Sequence, residues 1–462
     1  MKKNSLKLIV LFSLIIFSLY QTTRLWFDDL SDLNLFYDII NSNGIEENDV
    51  LSERSYFVQP ETIAIYLLSA EKNYSVIQKN KLDFDDISRK SIDILKSIIQ
   101  NGELVQESIS LDILWEKRHI LLKYNFEITS SQLLEDLNIK DLAFTRSISE
   151  FNEIIIQPNF NQEEYTYVYF INKDYSQIKA FRMKNKYNEI NKSLEKVIKQ
   201  LEDKKEGFPT YVSSKNLKIE WFKNNILLPG PRTEMINSAV VKTKKIKPFY
   251  NDGEIDSSKL ENYVNGFFAN SYKWKIEKQD DHWTYSDESV FLNYNTDGVI
   301  EYVNDNINNK KDLTIIDSYY VANKFLEKDN KIVDQEYYLA NYKVNGNEVK
   351  FNYNYKCRDI KMIISDDYLE KYHMKYPMEI TVVDGQVKTY KRLLLELESD
   401  EYTIQGEKSN ISYNTVLDKF LETYQEEKND LQQMELIYYL PSRDEDLTLK
   451  WMINNKIFVN QN

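Results

Sequence analysis

Three Asp-Gly or Asn-Gly pairs, each set between runs of β-branched and aromatic residues, constrain this chain more than any other feature. Glycine is scarce, with ten in 462 residues, so the placement of each one carries information. Val290–Tyr294 and Val299–Val303 flank Asp297-Gly298, Tyr337–Tyr342 and Val349–Tyr355 flank Asn345-Gly346, and Met378–Val383 and Val387–Leu395 flank Asp384-Gly385. Such pairs supply the positive φ angles of tight hairpin turns. The second half of the chain is therefore expected to be antiparallel sheet, closed by strands at Met434–Leu440, Leu447–Ile453 and Lys456–Val459.

Helical periodicity alternates with these hairpins. Phe84, Ile87, Ile94, Leu95 and Ile98 share one face, Asp85 and Asp86 complement the positive N-terminus, and Gly102 ends the pattern. Tyr187 to Leu201, Leu260 to Phe268, Ile316–Leu326 and Val416 to Tyr424 repeat the amphipathic spacing. Thr62–Leu67, Ile154–Ile156 and Thr166–Ile171 read as strands, while 109–128 mixes both signals. The fold class expected is α+β, an N-terminal membrane helix followed by about three outer domains of hairpin-rich antiparallel sheet packed with helices. The divisions are 1–27 for the cytoplasmic start and helix, then 28–210, 211–312 and 313–462.

The membrane helix is expected from Leu8–Tyr20, thirteen residues without a charge, ten of them Leu, Ile, Val or Phe. Their insertion is favourable by about 3 to 6 kcal/mol. Lys2, Lys3 and Lys7 precede the run and no small-x-small cleavage site follows it, which favours a retained anchor over a cleaved signal. Lys7 and Arg24 can snorkel, with Tyr20 and Trp26 at headgroup level, and so extend a run short of the usual span. The lysines hold the N-terminus in the cytoplasm by the positive-inside bias, which places the bulk of the chain outside the cell in a single-pass topology.

Beyond residue 24 the chain carries 55 basic against 73 acidic side chains. Such a surface repels phosphate backbones, so nucleic acid is not an expected partner. Lys242-x-Lys244-Lys245-x-Lys247 reads as a solvated edge or linker. The single cysteine, Cys357, excludes an internal disulfide and reads as a small strand residue.

No catalytic, cofactor-binding or metal-binding set emerges. Asn293-x-Asn295-x-Asp297-Gly298 imitates the start of a calcium loop, but position twelve is Asn304 where a bidentate Glu is needed. His119, His282 and His373 lie far apart in sequence, none at ligand spacing. Paired carboxylates such as Asp85-Asp86 and Asp366-Asp367 are what an acidic chain contains by chance. Trp274 and Trp283 could stack on sugars but read as core.

The order Arg24-Leu-Trp-Phe-Asp-Asp, then Lys259-Leu-Glu-Asn-Tyr-Val-Asn-Gly-Phe-Phe, Tyr294-Asn-Thr-Asp-Gly-Val-Ile-Glu-Tyr-Val-Asn and Thr448-Leu-Lys-Trp-Met-Ile-Asn-Asn-Lys resembles the YycH (WalH) family of Gram-positive bacteria. The likeness is clearest from Lys259 onward and weakest between Asp28 and Thr210. It implies a membrane-anchored, extracytoplasmic, non-enzymatic protein of three α+β domains. Its implied partners are a YycI-like accessory protein and a WalK (YycG)-like sensor histidine kinase that controls cell-wall metabolism, reached partly through membrane helices. Small and hydroxyl residues favour helix packing in lipid. Ser18, Gln21 and Thr22, with Leu14 a turn below, therefore form the expected contact face. The rival readings are a tethered binder of wall polymer or peptide and, more distantly, a carboxylate-based hydrolase.

Overall fold

The computed structural model describes most of residues 57–458; residues 1–56, 230–248, 396–412, 425–430 and shorter segments between elements lie outside the described residues. The expected anchor Leu8–Tyr20 and the lysine run 242–247 therefore fall outside them. Among the described residues no helix is long and apolar enough to cross a membrane.

Two large sheets organise the chain. The first has nine antiparallel strands: β1 (Thr62–Tyr66), β2 (Tyr74–Ile77), β3 (Glu103–Leu104), β4 (Ile120–Thr129), β5 (Glu150–Gln157), β6 (Tyr165–Ile171), β7 (Ile178–Lys184), β8 (Thr210–Ser213) and β9 (Leu227–Pro229). Their spatial order is β3-β7-β6-β5-β4-β1-β2-β8-β9. Both faces are covered, which explains why Ile154, Ile155 and Ile156 are all buried and show no alternation. On one face α1 (Leu82–Asn101) brings Phe84, Ile87, Leu95 and Ile98 against Ile63, Leu122 and Ile154. On the other, Leu114 and Trp115 close over Tyr66, Leu121 and Ile155. Gly102 ends α1 by donating its N–H to the Ile98 carbonyl at 2.8 Å, and a Cβ there would sit 2.4 Å from that oxygen. The ambiguous stretch 109–128 resolves mainly into β4, followed by α2 (Ser130–Asp136), which starts in a Thr129/Gln132 capping box. The helices α3 (Leu142–Ser147) and α4 (Asn188–Asp203) complete this part, with Leu194 and Ile198 of α4 buried on the α1 side.

After a short ribbon, β10 (Tyr250–Asn251) with β11 (Glu254–Ile255), and the helix α5 (Ser257–Asn265), comes a twelve-stranded sheet. Its strands are β12 (Lys275–Lys278), β13 (His282–Ser286), β14 (Val290–Asn295), β15 (Val299–Asn304), β16 (Tyr337–Asn345), β17 (Glu348–Cys357), β18 (Ile360–Ile364), β19 (Met378–Val383), β20 (Gln386–Leu393), β21 (Met434–Leu440), β22 (Thr448–Ile453) and β23 (Lys456–Phe458). The order runs β12-β13-β14-β15-β20-β19-β17-β18-β21-β22-β23, with β16 paired to β17. β15 joins β20 directly, and β18 meets β21 in a parallel pair. Three helices lie between these strands in sequence: α6 (Ile315–Asn330), α7 (Asp366–Glu370) and α8 (Tyr413–Thr423).

The three expected hairpins form, each with its own turn chemistry. Asp384 and Gly385 both take positive φ, as a type I′ turn requires, between the paired Val383 and Gln386. At Asn345-Gly346 only Gly346 is positive, because Asn345 is itself paired to Glu348 and the loop is Gly346-Asn347. At Asp297-Gly298 the loop is three residues long, with Gly298 at φ +93° closing it. Asn454 and Asn455, at φ 45° and 64°, turn β22 into β23 without a glycine.

The core of the second sheet includes Leu260, Tyr263, Val264, Phe267 and Phe268, although α5 itself stops at Asn265. A charged centre lies inside it. Asp329 of α6 accepts hydrogen bonds from Tyr263, from Tyr390 at 2.6 Å and from Arg392, and both members of the Arg392–Asp329 ion pair are fully buried. α5, α6 and β20 are thereby tied at one carboxylate. A third cluster packs Val416, Leu417 and Phe420 of α8 on Trp451 and Ile453, with Phe222 and Leu228 from the approach to and strand of β9.

Both sheets belong to one compact unit over residues 56–462. Phe57, Phe126, Tyr319 and Tyr342 interlock between them, with Phe57–Tyr319 and Phe126–Tyr342 ring centroids at 5.1 and 5.5 Å. Asp136 accepts from the Val58 N–H at 2.9 Å and from the Tyr320 hydroxyl at 2.8 Å, and Gln132 donates to Tyr342 at 2.6 Å.

Candidate binding cleft

Where the first sheet meets the β17–β18 turn, the start of β21 and the β22–β23 turn, the chain leaves a cleft of about 610 Å³. Small-ligand sites run to about 300–1,000 Å³. Strand pairing places its walls. β4 and β5 pair regularly at Lys123–Glu153, then shift register before Ile128–Phe151, so that Tyr124 to Glu127 bulge opposite Asn152. A bulge re-aims side chains, and here it carries Tyr124 and Asn125 into the lining beside Asn152. Asn224, just before β9, reaches across and donates to the Gln432 carbonyl at 3.3 Å. Opposite, the Asn454 carboxamide accepts from the Gln432 and Gln433 N–H groups at 3.0 and 3.3 Å.

The charges of the lining largely cancel. Four lysines, Lys123, Lys173, Lys356 and Lys361, face four acids, Glu61, Glu153, Asp359 and Glu435. Lys123 lies 3.0 Å from Glu153, which also accepts from the Tyr175 hydroxyl. Lys361 lies 3.0 Å from Glu435, and Lys356 pairs with Glu61, which is nearly buried at the entry to β1. Burial opposes the charge on Lys361, but Glu435, then Tyr338 and Glu61, outweigh it and hold the ammonium above its ordinary range. Lys173, exposed at the β6–β7 turn, has no carboxylate partner among the described residues.

Carboxamides make up much of the rest of the lining, and several are already engaged: Asn125 donates to the Leu339 carbonyl at 3.3 Å and Gln433 to Glu435 at 2.7 Å. Asn125, Asn152, Asn224, Gln432, Gln433 and the two turn asparagines 454 and 455 all line the space. The Oδ1 atoms of Asn152 and Asn224 are buried and meet no donor among the described residues. Tyr211 of β8 lies in the wall beside Val76, Ile226, Leu227 and Pro229, and burial followed by the Asp359 charge pushes its phenol up to about 12.

Leu14, Ser18, Gln21 and Thr22, and the anchors Lys7, Tyr20, Arg24 and Trp26, lie outside the described residues. The calcium look-alike is a hairpin turn whose Asp297 carboxylate is taken by Lys371 and the Tyr372 hydroxyl, each at 3.2 Å. No group of three or more His, Cys, Asp or Glu side chains among the described residues could hold a metal ion. His119 is fully buried between Tyr66, Tyr74 and Trp115. Trp274 packs on Phe268 and Tyr285 and donates to Asn265 at 3.1 Å, and Trp283, with the Lys278 ammonium 3.8 Å over its ring, packs against the same core. Sequence reasoning missed the cleft because asparagine is common throughout the chain and no spacing marks these seven carboxamides out.

Among solved structures, the chain is similar to the crystal structure of YycH from Bacillus subtilis, with a TM-score of 0.47 and 12% identity over 86% of this chain and 94% of that one. No family model matches the chain, and no curated protein matches it.

Proposed function

We propose that the chain is a non-enzymatic, membrane-anchored accessory regulator of a WalK (YycG)-like sensor histidine kinase, acting together with a YycI-like protein. What carries the reading is the sequence likeness to the YycH family, which recurs in order from Arg24 to Lys456. Within the described residues its segments fall on most of α5 and the residues after it, on the β14–β15 turn with β15, and on β22 with the turn that follows it. In this reading Leu8–Tyr20 spans the membrane once, with the N-terminus in the cytoplasm and the sheets outside. Leu14, Ser18, Gln21 and Thr22 face the kinase's membrane helices, while Lys7, Tyr20, Arg24 and Trp26 set the depth of the span.

The test is a fusion of residues 1–30 to an inert outer domain, expressed in a strain lacking the protein, with kinase-dependent reporter output as the measurement. Restored regulation is the expected result. If the full chain instead works equally well with an unrelated membrane helix in place of its own, helix contact is not the mechanism.

A further inference from the structure

We propose that Asn345 is a self-modification site, where the folded chain converts its own asparagine to aspartate and isoaspartate with water as the only co-reactant, independently of any role with a kinase. An Asn-Gly pair reacts when the glycine nitrogen reaches the asparagine side-chain carbon, because glycine has no Cβ to bar the approach. Four such pairs occur in the sequence, at Asn43, Asn101, Asn265 and Asn345, and Asn43 lies outside the described residues. The fold treats the other three differently.

Gly102 donates its N–H to the Ile98 carbonyl at 2.8 Å, and the Asn101 carboxamide donates to the Ser97 carbonyl at 3.2 Å. Gly266 donates to the Tyr263 carbonyl at 3.2 Å, and Asn265 Oδ1 accepts from Trp274 at 3.1 Å. At both sites the attacking nitrogen and the carboxamide are held by other groups. At the β16–β17 tip, Asn345, Gly346 and Asn347 are all exposed. Asn345 closes the hairpin opposite Glu348 and Gly346 opens the two-residue loop, so neither the Asn345 carboxamide nor the Gly346 N–H has a partner among the described residues. Nothing lies within 4 Å of where a Gly346 Cβ would be, which leaves room for a ring to close. The Asp-Gly pairs at 297 and 384 offer carboxylates, which are poorer electrophiles than an amide. They are also engaged, Asp297 by Lys371 and Tyr372 and Asp384 by the Asn347 carboxamide at 2.8 Å.

The step balances without an oxidant or a second enzyme. The Gly346 amide loses its proton to hydroxide and its nitrogen attacks Asn345 Cγ. The N–Cγ bond forms, the Cγ–Nδ2 bond breaks, and the nitrogen leaves as ammonia with a proton from water. Water then opens the cyclic imide. Attack at Cγ leaves aspartate, and attack at the backbone carbonyl leaves isoaspartate, with the chain routed through the side chain. Either product sets a carboxylate directly opposite Glu348, and like charges so placed weaken a strand pair. The tip of β16–β17 is thereby loosened as the protein ages.

The experiment incubates the full chain in detergent in mildly alkaline heavy-oxygen water, digests it at acid pH and follows the Asn101, Asn265 and Asn345 peptides by mass spectrometry. Asn345 should convert about tenfold faster than either of the others, each of which must first give up a hydrogen bond to free its glycine nitrogen. Its product should carry the heavy oxygen and resolve into two isomers. In concentrated urea the three sites should convert at similar rates, since folding is what separates them. Gly346→Ala should slow the Asn345 reaction, and melting temperatures report whether that variant folds. Hydrogen exchange at residues 343–349 should quicken in the converted protein. Equal rates at the three sites in the folded chain, an unchanged Asn345 under conditions where the urea-unfolded chain reacts, or exchange at the tip that conversion leaves unaltered would each overturn the proposal.

Discussion

His119 shows how burial sets the chemistry of a single residue. It stacks on Tyr66, meets Tyr74 and Trp115 edge-on, and holds Nδ1 2.7 Å from the Lys117 carbonyl and Nε2 3.1 Å from the Tyr74 hydroxyl. Those partners assign the neutral tautomer, with Nδ1–H donating and Nε2 accepting. Burial drives its pKa down to about 4 against the opposing Lys117 hydrogen bond. The folded state thus resists a proton that the unfolded chain takes up near pH 6.5. Stability from this group is complete above pH 6.5 and is lost as pH falls toward 4, by about 3 kcal/mol in all. Urea midpoints measured between pH 7 and 4.5 should fall steeply for the native chain. His119→Phe should be less stable at pH 7 yet show a shallower fall, because the buried imidazole is gone. Asp329 presents the opposite case, a charge retained in the core because Arg392 and two tyrosine hydroxyls surround it.

At the scale of elements, the turns decide which glycines matter. Gly346 sits at φ +63° with nothing within 4 Å of where a Cβ would be, so Gly346→Ala is penalised only by left-handed backbone strain, about 1 kcal/mol. Gly298 sits at φ +93°, a Cβ would lie 3.2 Å from the Leu394 carbonyl oxygen, and its own carbonyl accepts the Leu394 N–H at 2.8 Å. Gly298→Ala should therefore cost roughly 1 kcal/mol more than Gly346→Ala, the added crowding being held in place by that backbone bond. Equilibrium urea unfolding of the two variants measures the difference, and equal losses would show that the β14–β15 turn relaxes. The hairpins were legible from sequence because turn and strands are neighbours along the chain. β4 was not, since Glu116–His119 before it carry no turn residue and its bulge disrupts the alternation.

Over the whole molecule, Asp136 is one of the points where the two sheets are tied. It is buried, caps the Val58 N–H and accepts from Tyr320 on α6. Asp136→Ala leaves the buried Val58 N–H without this acceptor and should lower stability by about 2–3 kcal/mol, the range for hydrogen bonds to a charged group. The urea midpoint reads it. A drop under about 0.5 kcal/mol, the size of an ordinary surface change, would show that the interlocked rings of Phe57, Phe126, Tyr319 and Tyr342 hold the sheets together without it.

The cleft could not be read from the chain because its walls come from distant segments. Asn152 and Gln432 are separated by 280 positions, and only the strand pairings bring them to one space. The pairings that build the large sheets are also non-local: β15 with β20, β18 with β21 and β1 with β4. What the sequence by itself determined was local and periodic. Helix faces, the Gly102 stop and the Asp-Gly and Asn-Gly turns follow from φ preferences and from the 3.6- and 2-residue repeats, which act over a few residues. Only the tertiary structure decided which hairpins share a sheet, that both faces of the first sheet are covered, and which carboxamides converge. Those outcomes depend on burying surfaces that lie far apart along the chain, and no short stretch encodes them.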